Sequence, residues 1–376
     1  MATVTSVLTS YDDFPVHQTT APMAHSGDGD LNFYDRYFFN GYSADGAIYF
    51  GLAMGLYPNR HITDAAFSVV RNGEQVSVFS SQRAPLDRRA ATTVGPIRVE
   101  VIEPLHTLRL VVDAPEHGLR ADLRFDRRSP VIEEPHFLYR VGVRTLFDYT
   151  RLTQFGTWTG WLEVDGERIE VSPSEIVGSR DRSWGHRPIG EAAPSGAPVG
   201  WPFQFFWLWA PTNFPSMSTH FDVNEYADGR RWHEVGAIAP VGDGEAEVMR
   251  TVDWRITWRP GTRWAERFEY DLVDWQGGVS TVTLEPMYEF HMRGIGYGNP
   301  KHGHGYWQGE SVVAGERLSL PVDTPCAREH VHIQALCKAT FRGADGRVEH
   351  GTGILEQLAF GDHVTGLTGI LDPYQP

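Results

Sequence analysis

The sequence is 376 residues long, more than one hydrophobic core usually supports, which predicts two domains of ordinary size. A formal net charge of −15, from 33 Lys and Arg against 48 Asp and Glu, repels a phosphate backbone and an anionic membrane surface, which argues against nucleic acid as a partner. Hydrophobic residues at 41% and charged residues at 22% are ordinary for a globular chain, whereas 12 Trp, 14 Tyr, 20 Phe and 39 Gly favour sheets joined by tight turns.

The opening stretch, MATVTSVLTSYDDFPVHQ, has no basic segment and no long apolar run before Asp12 and Asp13, so it does not read as a secretory signal. Further on, IRVEV from Ile97, LRLVVD from Leu108 and RFEYDL from Arg267 alternate apolar and polar residues. The pattern is cleanest in LRADLRFD, where Leu119, Ala121, Leu123 and Phe125 share one face of a half-buried strand. No long window shows helical spacing. Asp45-Gly46, Asn72-Gly73, Asp165-Gly166, Asp228-Gly229 and Asp345-Gly346 accept the positive φ of tight hairpins, so the strands follow one another as meanders in an all-β chain. There is no βαβ unit or phosphate-binding glycine loop.

DGERIE at Asp165 and DGRVE at Asp345 echo each other about half a chain apart, a weak sign of duplication. Between them EAAPSGAPVG, residues 191 to 200, reads as a linker. The expected domains are therefore residues 1–195 and 196–376. The densest apolar run, WPFQFFWLWAP from Trp201, is too short to span a bilayer, so no membrane insertion is expected. Cys326 and Cys337 make no disulfide framework and fit a reducing compartment, with cytoplasm the default.

The most distinctive segment is GSRDRSWGHRP, from Gly178 to Pro188. If extended, it puts Asp181, Ser183 and Gly185 on one face and Arg180, Arg182 and Trp184 on the other. Asp181 then points away from its arginine neighbours into an apolar site, where burial raises a carboxyl pKa enough for it to donate a proton. A buried clamp between Asp181 and Arg182, Arg187 or a distant arginine explains the same residues equally well.

DRSWG after a β-hairpin resembles the lipocalin-like superfamily of carotenoid 1,2-hydratases (hydroxyneurosporene synthases), with tocopherol cyclases and Diels-Alder cyclases as relatives. NFYDRYFFNGYSADGAIYFGL, GTWTGWLEVDG and GTGILEQLAFGD extend the similarity over most of the chain. The resemblance implies two consecutive lipocalin-like (calycin-type) antiparallel β-barrels or strongly bent sheets. A hydrophobic ligand is held between or within them, with no general need for metal. Asp181, Trp184 and Gly185 match the motif that includes the proposed acid; Arg180 and Arg182 stand where histidines are expected and Ser183 where Asn is.

Aromatic faces that stabilise a carbocation are abundant. Trp201, Phe203, Phe205, Trp207 and Trp209 occupy alternate positions and form one stripe, for which ordinary core packing is the commoner reading. Trp158 and Trp161 lie on opposite faces of their strand. His220, Asp222 and Asn224 share a face that more often meets solvent. His302 with His304, and His330 with His332, have metal-ligand spacing, but no carboxylate completes a triad; His330 and His332 are expected to face solvent, and neither metal nor cofactor is expected. Tyr297, His304, Tyr306 and Trp307 lie in a glycine-rich segment that reads as a site loop or as a decorated hairpin. Glu356 and Gln357 are polar positions in an apolar strand, facing a barrel interior or paired in the core.

The expected function is a cofactor-independent lyase or isomerase that hydrates, dehydrates, isomerises or cyclises an unsaturated hydrophobic, terpenoid-like small molecule. Asp181 is the expected acid or base, and His186 or His304 relays a proton or water. Trp184, Trp158, Trp201, Trp207, Trp209, His220, Tyr297 and Glu356 are the expected substrate contacts, and Arg182 and Arg187 hold the motif. A non-catalytic carrier for an apolar ligand and a pericyclic cyclase are the alternatives, and a homodimer is an assembly left open.

Overall fold

The computed structural model describes residues 15, 17, 19–85, 92–191 and 204–376. It is all β, built from two large antiparallel sheets of 14 and 10 strands, with no α-helix among the described residues. Leu119, Ala121, Leu123 and Phe125 are all buried on the strand Leu119–Arg127, while Arg120 and Arg124 pair outside with Asp113 and Asp126. Asn72 and Gly73, at φ 51° and 76°, join Ile62–Arg71 to Glu74–Arg83. Positive φ at both central residues matches the twist of the flanking strands. Asp165 and Gly166 do the same between Arg144–Val164 and Glu167–Val171.

Each sheet bends round its own core. In the first, Val76 and Val78 from one end of the strand order share a cluster with Val94 and Ile97 from the other, around the fully buried Trp158. The Trp158 indole donates to the Asn40 carbonyl at 2.9 Å. In the second, Phe206, Phe221, Phe268 and Cys337 form the centre. A third cluster, with Phe38, Tyr42 and Tyr49 from the first sheet and Trp209, Phe290, Leu336 and Ile354 from the second, lies between the sheets. One strand from late in the chain, Ser311–Ser319, pairs with Glu74–Arg83 and extends the first sheet. The domain division expected at 195/196 falls outside the described residues.

Where the sheets meet, Phe33–Ser43, Ile176–His186 and Arg144–Val164 lie side by side. They confront Phe205–Trp209 and its neighbours Met217–Glu225 and Val348–Phe360. Strands buried on both faces have apolar residues toward their own sheet's core. The residues between them are free to build a chamber.

Candidate active site

Asp181 sits at the centre of the strand Ile176–His186, opposite Phe38 on one neighbour and Thr153 on the other. Alternation separates it from the flanking arginines. Arg180 turns into the first core, where its Nε donates to Gln154 at 2.8 Å. Arg182 turns outward, pairs with Asp35 and lies 4.2 Å from the Tyr37 ring centre. Asp181 and Ser183 face a cavity of about 400 Å³ between the sheets. Among the described residues the Asp181 carboxyl has no hydrogen-bond or ion-pair partner. Burial pushes its pKa up to about 6; Arg151 opposes the rise, and the negative charges of Glu134 and Glu356 add to it.

Gly185 shapes the adjoining wall. Its ladder partners are Tyr34 and Tyr149, whose rings meet edge to face with centres 6.1 Å apart. At φ 137° its backbone suits glycine, and a Cβ there would come within 2.4 Å of the Asp148 carbonyl oxygen. The opposite wall is aromatic. Phe205, Trp207 and Trp209 face the cavity, while Phe206 and Leu208 alternate into the second core.

Two polar groups are built into these walls. Arg151 grips Glu134 through two hydrogen bonds of 2.9 and 2.6 Å and also contacts Asp222. Thr153 donates to Glu134 at 2.6 Å, and the Trp207 indole donates to Asp222 at 2.8 Å. Burial alone would raise Glu134, yet Arg151 holds its carboxyl well below the usual range. Burial and the neighbouring Glu134 push Asp222 upward. Burial also lowers His233 to about 3, so its imidazole is neutral. Glu134, Asp222 and His233 bring ligand atoms within 4.8 Å of one another, a spacing open to a metal ion, but the Arg151 guanidinium already supplies the cation there. The second group is Glu356, bonded to His332 Nε2 at 2.6 Å and to the Gln334 amide at 2.5 Å; both Glu356 and His332 line the cavity. An ionisable carboxyl, a carboxylate–imidazole pair and indole faces around one apolar chamber can move a proton and steady the charge that results.

A family model described as a family of unknown function (DUF8625) matches residues 8–368. The chain belongs to this family. No curated protein sequence matches it. The fold of this DUF8625 member is similar to that of kievitone hydratase from Nectria haematococca, at 12% identity and a TM-score of 0.52 over 94% of this chain and 95% of that one. A structure of CghA with Sch210972 is similar at 12% identity, with a TM-score of 0.48 over 88% and 89%.

Of the residues singled out in the DUF8625 sequence, the structure brings Asp181, Arg187, Trp207, Trp209, Tyr297 and Glu356 to the cavity. Others lie elsewhere. Trp184 is exposed on the outer face, and Trp158 fills the first core. His186 pairs with Asp28 at 2.8 Å, away from the chamber. His304 lies behind Tyr297, ring centres 4.4 Å apart, with Nε2 at 2.9 Å from the Ile295 carbonyl. His220 is buried beneath Trp209, its Nε2 3.5 Å from Glu134. Trp201 falls outside the described residues.

Two expectations of solvent exposure are corrected. His220, Asp222 and Asn224 are all buried, because their strand is covered on both sides. His332 is buried against Glu356 while Val331 and Ile333 point the other way into apolar packing. Sequence reasoning passed over Arg151, Tyr149 and Tyr34. The first two alternate with Phe147 on one strand, and that period-two signal was available.

Proposed function

We propose that the cavity is the active site of an enzyme that adds, removes or relocates a proton on an unsaturated apolar molecule of terpenoid type, with Asp181 as the acid. The supporting observation is a carboxyl with no partner among the described residues and a pKa raised to about 6, facing a chamber of about 400 Å³ walled by Trp207 and Trp209. In the hydration direction the Asp181 O–H bond breaks as a C–H bond forms at one alkene carbon. The indole faces stabilise the positive charge at the other. Water adds there, and the His332–Glu356 pair takes the proton that water releases. Transfer of that proton back through solvent restores Asp181. Without water addition, loss of a different proton gives isomerisation, and attack by a second alkene followed by loss of a proton from the resulting cation gives cyclisation.

The shared fold with kievitone hydratase supports the hydratase direction by analogy of fold. The residues 1–195 and 196–376 serve as two consecutive lipocalin-like domains in this reading, the second lending the strand Ser311–Ser319 to the first sheet, with the chamber at their junction. Incubation with an apolar metabolite extract in D2O tests it. The wild type is expected to place solvent deuterium on a carbon of one metabolite, seen by mass spectrometry, and Asp181→Asn to slow this by about 100-fold or more. Equal transfer by both proteins rules Asp181 out, and binding without any transfer by the wild type overturns the acid–base reading in favour of a carrier, if the metabolite is unchanged, or a pericyclic cyclase, if it is converted.

A further inference from the structure

Two arginines, Arg36 buried and Arg187 half-buried, stand against the same ring. The Arg36 and Arg187 guanidinium carbons lie 4.7 and 5.4 Å from the Tyr297 ring centre, and Arg187 also lies 4.6 Å from that of Tyr34. Arg36 is 1% exposed. Its Nε and Nη1 have no hydrogen-bond partner, and its Nη2 reaches only the Ile295 carbonyl, at 3.4 Å. Arg187, on the cavity wall, interacts with the Tyr297 hydroxyl, but its buried Nε and Nη2 have no hydrogen-bond partner.

Asp64 feels the charge of Arg36 and Arg187 but makes no hydrogen bond or ion pair with either. Asp64 accepts the Tyr57 hydroxyl at 3.0 Å and the Gly305 amide at 2.7 Å. Among the described residues no carboxylate forms an ion pair with Arg36 or Arg187. The contrast with Arg151 is plain, since that guanidinium, buried in the same chamber, is saturated by Glu134 and Asp222. A buried guanidinium whose donors go unused is costly for a fold to keep, and a planar fork of N–H donors is the geometry that receives a carboxylate or a similar anionic oxygen. Arg328, exposed, adds a third positive charge to the cavity lining.

We infer that the ligand of this cavity is an apolar molecule with one anionic oxygen group, a carboxylate or an acidic enol, received by Arg187 with Arg36 behind it. Its hydrocarbon body lies along Trp207 and Trp209, which brings it past Asp181. The inference rests on the cavity being a ligand site and does not depend on Asp181 being the acid.

Fluorescence titration with cis-parinaric acid and with its methyl ester, a matched pair with and without the charge, tests it. The wild type is expected to bind the acid about tenfold or more tightly than the ester. Arg187→Met is expected to erase most of that preference while leaving ester affinity within about threefold, and Arg187→Lys to keep part of it. The wild-type ratio is decisive even if Arg187→Met does not fold. Equal affinity for acid and ester in the wild type, or an equal loss of both in Arg187→Met, overturns the inference and leaves the role of Asp181 standing. Failure of both probes to bind counts against the cavity as a ligand site, and so against both readings; binding of the ester alone overturns the inference.

Discussion

Asp181 and Arg182 are joined by one peptide bond and meet opposite environments, the first a chamber between sheets, the second Asp35 and Tyr37 on the far face. The carboxyl pays for that placement in stability. Its pKa is about 6 in the fold against an ordinary 3.8. Between those values the folded protein retains a proton that the unfolded chain has released, so stability falls as pH rises through this window. Asp181→Asn, which cannot ionise, is therefore expected to be more stable than the wild type at pH 8, by about 1 to 3 kcal/mol in denaturant unfolding, and no more stable at pH 3.5. Greater stability of the wild type at pH 8 would mean that the carboxylate has a favourable partner. As an acid, Asp181 also loses its proton over the same range, so activity is expected to decline as pH rises through about 6.

The strand Ile176–His186 was legible because strict alternation set Asp181 and Ser183 against Arg182 and Trp184. The same rule placed Phe205, Trp207 and Trp209 on one face. Where alternation misled, the strand was buried on both sides. His332 between Val331 and Ile333 looks like a histidine on a wet face, yet here both faces are dry and it meets Glu356. His220, Asp222 and Asn224 show the same effect. Local pattern reports whether neighbours differ; it does not report what covers each face. Gly185 offers a sharp test of how this strand builds the wall. Gly185→Ala forces a Cβ against the Asp148 carbonyl at a positive φ, and is expected to cost about 2 kcal/mol or more in thermal unfolding and to weaken ligand binding by spreading Tyr34 from Tyr149. An alanine variant of unchanged Tm would show that the ladder has slack there.

The all-β class and the meander of hairpins followed from turn dipeptides and period-two runs, but the docking of one sheet on the other did not. It depends on pairings between residues far apart in sequence, such as Asn40 with Gln334 at 3.3 Å and Gln75 with the His291 carbonyl at 2.8 Å. The strand Ser311–Ser319, which crosses to Glu74–Arg83, carries no local sign of its destination. The cavity belongs to that docking, since its walls come from both sheets and neither sheet alone encloses Asp181. The account therefore predicts that the joined sheets create an environment in which one carboxyl keeps its proton up to about pH 6. A carbon-13 NMR titration of the Asp181 carboxyl, assigned by its loss in Asp181→Asn, measures this directly. A midpoint close to pH 6 is the predicted result, and a midpoint at or below pH 4 would contradict it.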